Sequence, residues 1–146
     1  MTPDEVATRA ADAMWAGDAA SRALGMRLVE VGPGRATLRM TVRADMVNGH
    51  DIAHGGYVFL LADTAFAVAC NSYGQSTVAA GCDIAFLAPV HAGDHLTAEA
   101  RETHRAGRSG IYDVSVRRGD GTVVAELRGR SRTIKGTLVP QEEDPT

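Results

Sequence analysis

Lysine is almost absent from this chain. Lys135 is the only lysine among 15 basic residues, against 18 acids and a net charge of −3. No basic block exists to neutralise a run of phosphates, which argues against nucleic acid as a principal partner. Cysteine is scarce too: Cys70 and Cys82 each sit among small apolar residues. Two isolated thiols make neither a disulfide framework nor a paired-cysteine metal site, and a reduced, cytoplasmic setting is the expectation. A spanning segment is missing as well. The apolar run from Tyr57 to Cys70 is short for a bilayer and carries Asp63 at its middle, so no membrane partner is expected. The opening MTPDEVATRAADAMWAGD is acidic and amphipathic, without the basic start, apolar core and cleavage site of a secretory signal.

What remains is a chain of 146 residues, 45% hydrophobic, the size and composition of one ordinary domain. Thr2-Pro3-Asp4-Glu5 has the cap, proline and acids of a helix start, which predicts a helix over 3–15 and a second short helical turn through Leu24. Strands are predicted over 26–31 and 35–42, parted by Gly32-Pro33-Gly34. Residues 44–56 read as a loop and 57–72 as a helix apolar almost all round, which other structure must enclose. Four strands follow, near 76–87, 94–104, 110–118 and 122–134, with consecutive pairs readable as hairpins. The order predicts an α+β fold in which a curved, mostly antiparallel sheet grips one long central helix.

Chemistry concentrates at the start of that helix. His50-Asp51-Ile52-Ala53-His54 has the spacing of a zinc-protease helix, but Asn48-Gly49 before it and Gly55-Gly56 after it argue against a helix there, so no metal site is read. Asp45 and His50 have the gap used by enoyl-CoA hydratases, without supporting flanks. Gly55-Gly56 lead into the helix, where free N–H groups and the helix dipole favour an anion or an oxygen becoming one. Asp63 has Phe59, Leu60, Phe66 and Ala67 at helical spacing. A carboxylate in such surroundings has its pKa raised and can serve as a general base or nucleophile.

Gly55 and Asp63 are eight residues apart in sequence, about 12 Å along one helix. An oxyanion donor and an attacking group must both reach one carbonyl, each about 3 Å away. One chain cannot do this. A two-fold dimer can, by bringing Asp63 of one copy to Gly55 of the other.

NGHDIAHGG, LADTAFAVACNSYG and the downstream IAFLAPVHAGDHLTAEA together resemble the hotdog-fold acyl-CoA thioesterases, and within them the phenylacetate-degradation, PaaI-type branch. The likeness covers roughly residues 22 to 135. It implies a hotdog fold, dimers paired into homotetramers, and hydrolysis of aryl-acyl-CoA, phenylacetyl- or hydroxyphenylacetyl-CoA in type. It implies no separate cofactor, coenzyme A being part of the substrate. By resemblance Asp63 is the catalytic carboxylate, Gly55 the backbone donor, Asn48 the amide that positions water or carboxylate, and His54 the residue before the oxyanion glycine. Some relatives carry Ser or Thr near Ala80-Gly81-Cys82, a hydroxyl this sequence lacks. Arg105 and Arg108, flanking the Ala106-Gly107 turn, are candidates to grip the coenzyme A phosphates, and Tyr57, Phe59 and Phe66 to border an acyl crevice. The division expected is 1–24 as an N-terminal helical arm, 25–136 as the hotdog domain and 137–146 as a flexible tail. A non-catalytic acyl-CoA-binding protein and an enoyl-CoA hydratase using Asp45 and His50 are the rival readings.

Overall fold

The computed structural model describes residues 1–140. Helix α1 (Pro3–Gly17) begins where the sequence punctuates it: Thr2 Oγ1 accepts the Glu5 N–H at 3.1 Å, and Pro3 takes the first turn. Asp18 breaks it and caps α2 (Ala19–Ala23), accepting the Ser21 N–H at 3.0 Å. The strands β1 (Arg27–Gly32) and β2 (Arg35–Thr41) form a hairpin. Between β2 and the central helix lie a short 3-10 turn, Ala44–Met46, and an isolated bridge between Val47 and Ala53. Helix α3 runs Gly55–Cys70, and β3 (Gln75–Phe86), β4 (His95–Ala106), β5 (Ser109–Arg118) and β6 (Val123–Thr137) complete the chain.

One antiparallel sheet of six strands, ordered β1-β2-β4-β5-β6-β3, wraps α3. The hotdog, α+β reading therefore holds. The helix is enclosed because most of its surface is apolar: Leu61, Ala62, Ala65 and Ala69 are fully buried, as are Leu38, Ala98, Val114, Val116 and Ala125 of the sheet. Burying one such leucine contributes roughly 2–3 kcal/mol. The alanines let the strands close on the helix backbone. At its far end the side chain of Asn71 donates to the Ala67 and Thr77 carbonyls and accepts the Thr77 N–H, tying helix to β3.

Three readings need correction. The helix starts at Gly55 and ends at Cys70, because His54 caps it and the glycine pair lies inside its first turn. Secondly, β3 and β4 are not a hairpin: β3 pairs only with β6, and the chain crosses the mouth of the sheet through residues 87–94 before β4 begins. Thirdly, Phe66 borders no crevice; it is buried in the core beside Tyr112, ring centroids 5.6 Å apart.

At the C-terminus the Leu138 N–H bonds the Gly74 carbonyl, and Val139 is buried near Gly74. The remainder of the segment read as a flexible tail, 141–146, lies outside the described residues. Likewise α1 lies on the body, with Ala7, Ala10 and Ala11 buried. Among the described residues no helix is long and apolar enough to cross a membrane.

Candidate active site

The start of α3 is built by the loop before it. Asn48 Oδ1 accepts the His50 N–H at 2.9 Å and, more weakly, that of Ile52. The Asn48 backbone N–H bonds the Ile52 carbonyl. This curls residues 48–52 tightly enough to place Asp51 at φ 62°, where aspartate is among the more tolerant residues. The loop then returns so that the His54 N–H reaches the Met46 carbonyl at 2.8 Å.

His54 is the cap. Its Nδ1 accepts the Gly56 N–H at 3.1 Å, and its carbonyl accepts the Tyr57 N–H. The Gly55 N–H between them has no acceptor among the described residues. A helix of 16 residues thus presents one unsatisfied amide at its positive end. Gly55 also lines an apolar cavity of about 430 Å³, walled by Ile52, Val58, Phe86, Leu87 and Val90 among others. Phe86 stands so close that a methyl group added at Gly55 would come within 3.0 Å of its ring. Sequence reasoning found none of these wall residues as such. The only signal for Phe86 and Leu87 was their place in the stretch IAFLAPVHAGDHLTAEA.

Asp63 sits two turns further along, half-buried. It makes no hydrogen bond or ion pair with any described residue. Burial pushes its carboxyl above the ordinary value of 3.8. Its charge reaches both thiols: Cys70 is pushed up to about 12, chiefly by burial, and Cys82 on β3 is raised by burial and then by Asp63. Asp63 therefore lies on the side of the helix toward β3, which with β1 is one of the two edge strands of the sheet. That edge is 12 residues long, with Asp83 its one charge and Val78 and Phe86 exposed. Its outer N–H and C=O groups have no strand beside them. Edges of this kind invite a second strand.

The other candidates fall elsewhere. Arg105 and Arg108 belong to the β4–β5 hairpin at the far end of α3. Arg105 stacks 3.4 Å from the Tyr73 ring centre and pairs with Glu102, so local bonds account for it. Nothing among the described residues brings either arginine to Gly55. Tyr57 and Phe59 are partly buried against the core. Asp45 is paired with Arg43 on the surface and makes no hydrogen bond or ion pair with His50. His50 and His54 do not share a helical turn, and no group among the described residues could hold a metal ion.

A family model described as "Thioesterase superfamily" matches residues 50–125, the stretch holding Gly55, Asp63 and the edge strand. The chain belongs to the thioesterase superfamily. It is 47% identical to the acyl-coenzyme A thioesterase PaaI of Escherichia coli K12 over 128 residues, 88% of this chain and 91% of that protein. The solved structure of the E. coli PaaI protein, described as from the phenylacetic acid degradation operon, superposes with a TM-score of 0.91 at 45% identity, covering 93% of this chain and 99% of that one. A point mutant of the phenylacetic acid degradation protein PaaI of Thermus thermophilus superposes with a TM-score of 0.75 at 36% identity, over 78% and 97% of the two chains.

Proposed function

We propose that this chain hydrolyses acyl-CoA thioesters, with arylacetyl-CoA as the substrate class, in two equivalent sites shared across a two-fold dimer. The observation that carries the reading is an unbonded amide at Gly55 and an unbonded, half-buried carboxylate at Asp63 on one helix. They are too far apart to serve one carbonyl from the same copy, about 12 Å along the axis. A second copy laid against β3 supplies the missing partner at each site. The aryl preference is supported by the likeness to the E. coli and Thermus proteins and by the apolar cavity at Gly55.

In this mechanism the thioester carbonyl oxygen accepts the Gly55 N–H. As charge builds on that oxygen the amide and the helix dipole stabilise it, one such donor being worth about 3–4 kcal/mol in the transition state. The His54 cap makes this amide the available one, because it occupies the amide of Gly56. The partner subunit's Asp63 takes a proton from water, and the resulting hydroxide adds to the carbonyl carbon. The C–S bond then breaks, the thiolate leaves, and the proton held by Asp63 passes to the sulfur. Asn48 holds the loop and, through its remaining amide N–H groups, the attacking water. Hydrolysis consumes only water, so no further cofactor enters.

Free-thiol release from phenylacetyl-CoA by wild type and Asp63→Asn tests the reading. General-base catalysis contributes on the order of 100–10,000-fold, and a loss in that range is expected. Equal rates would remove Asp63 from the chemistry.

A further inference from the structure

The outer face of the sheet carries a row of arginines that the mechanism does not use. Arg27 lies opposite Arg39, Arg39 opposite Thr97, and Thr97 opposite Arg117, so the row crosses β1, β2, β4 and β5 without a break. Direct neighbours in such a row stand about 5 Å apart, and like charges set opposite each other are destabilising. Arg27 and Arg39 form no ion pair or side-chain hydrogen bond with any described residue, and Arg117 donates only to the Gly121 carbonyl. Elsewhere on the same face the arginines have acids beside them: Arg35 pairs with Glu30, Arg128 with Asp113 and Arg130 with Asp83, and Arg101, opposite Arg35, also stands opposite Asp113.

The row lines a groove of about 500 Å³, to which Arg118 adds a fourth guanidinium and Glu99 the only acid. Arg118 is held by Asp120 and by the Pro89 carbonyl at 2.8 Å. Pro89 also lines the cavity beside Gly55. Groove and cavity thus flank one short connection, residues 87–94, at the end of the molecule where Gly55 lies. Arg105 and Arg108 stand at the opposite end.

We infer that this groove is a binding site for a small organic anion bearing clustered phosphates, held by Arg27, Arg39 and Arg117. Guanidinium groups recognise phosphate oxygens through paired, charge-assisted bonds. An anion laid along the row relieves the repulsion between Arg27 and Arg39. Two sources share this chemistry: the phosphorylated end of a coenzyme A thioester, which rests on the thioesterase reading, and a free phosphorylated metabolite, which does not.

The test titrates the intact protein with inorganic pyrophosphate and follows binding by calorimetry. Wild type binds, and more weakly as salt is added. Arg39→Gln/Arg117→Gln binds at least about tenfold more weakly, the scale expected for lost charge-assisted bonds. Arg101→Gln, on the same face two rows away, binds as wild type does. These side chains are exposed and Arg39 faces a like charge, so the double variant melts no lower than wild type. Phenylacetyl-CoA then separates the sources. A raised KM with kcat unchanged in the double variant assigns the groove to the thioester's phosphates. An unchanged KM with pyrophosphate binding lost assigns it to a free ligand. Pyrophosphate that binds both proteins equally, or wild type not at all at millimolar concentration, overturns the site whether or not the protein hydrolyses thioesters.

Discussion

Gly129 of β6 lies flat against the ring of Phe66 on α3. A methyl group added at Gly129 would stand 2.7 Å from two ring carbons of this buried side chain. Gly129→Ala is therefore expected to destabilise the fold by about 1–3 kcal/mol, the usual cost of overpacking. Urea unfolding checks it, and a midpoint equal to wild type would show that the ring can move.

The Gly55 donor can be deleted without breaking its helix. Proline is tolerated at a first helical position, where its missing N–H removes no helical bond. The preceding residue must then be extended, and His54 already is, at φ −60° and ψ 131°. Gly55→Pro should keep the fold and lose activity on the order of 100–1,000-fold. Gly55→Ala keeps the amide and adds only a methyl beside Phe86, an exposed ring. It should retain far more activity than proline. Equal losses in the two variants would mean that bulk, not the amide, matters.

Sharing across the dimer is open to complementation. In a dimer of one Asp63→Asn chain and one Gly55→Pro chain, one site has both groups intact and the other has neither. Mixing two inactive homodimers under exchange should therefore restore activity, half the wild-type rate for each heterodimer. No recovery, with exchange verified by mass, would place both groups in one chain.

Burial pushes Asp63 up from 3.8, and the sign of two pH effects follows. The base acts ionised, so kcat/KM should rise with pH through a midpoint above the ordinary aspartate value. The folded chain holds this proton more tightly than the unfolded one, so stability falls as pH rises through the folded pKa. Asp63→Asn should consequently melt higher than wild type at pH 7 and equally at pH 3. A variant less stable at pH 7 would point to a favourable partner for the carboxylate.

Asp113 titrates in the opposite sense. Hydrogen bonds from Arg128, then Thr103, hold its carboxyl down at about 2, although burial opposes them. Its folded pKa lies below the unfolded value, so its contribution is present above about pH 4 and lost as pH falls toward 2. Asp113→Asn should flatten the melting-temperature curve in that window, and parallel curves for the two proteins would discount the pair.

The order of elements was legible because punctuation is local. Thr2-Pro3 starts a helix and Asp120-Gly121 turns a hairpin whatever the rest of the chain does. The partner of β3 was not, because it is chosen by how the sheet closes around α3, and Pro89 to Gly93 looks the same whether it turns a hairpin or crosses to another strand. The start of α3 was missed by two residues for a different reason: histidine is not among the usual caps, and a glycine pair reads as a turn. Asp63 was conspicuous because its neighbours are apolar. The arginines were harder. Arg105 and Arg108 flank an obvious turn, whereas Arg27, Arg39 and Arg117 are scattered in sequence and meet only through strand register.

The bare flank of β3 bears on when the protein begins to work. On the shared-site reading a newly folded monomer is finished as a structure yet inert, and its first turnover waits for a collision with a sister chain. Refolding from denaturant should then show fluorescence recovering at a rate independent of protein concentration, with catalysis trailing behind by a lag that lengthens on dilution.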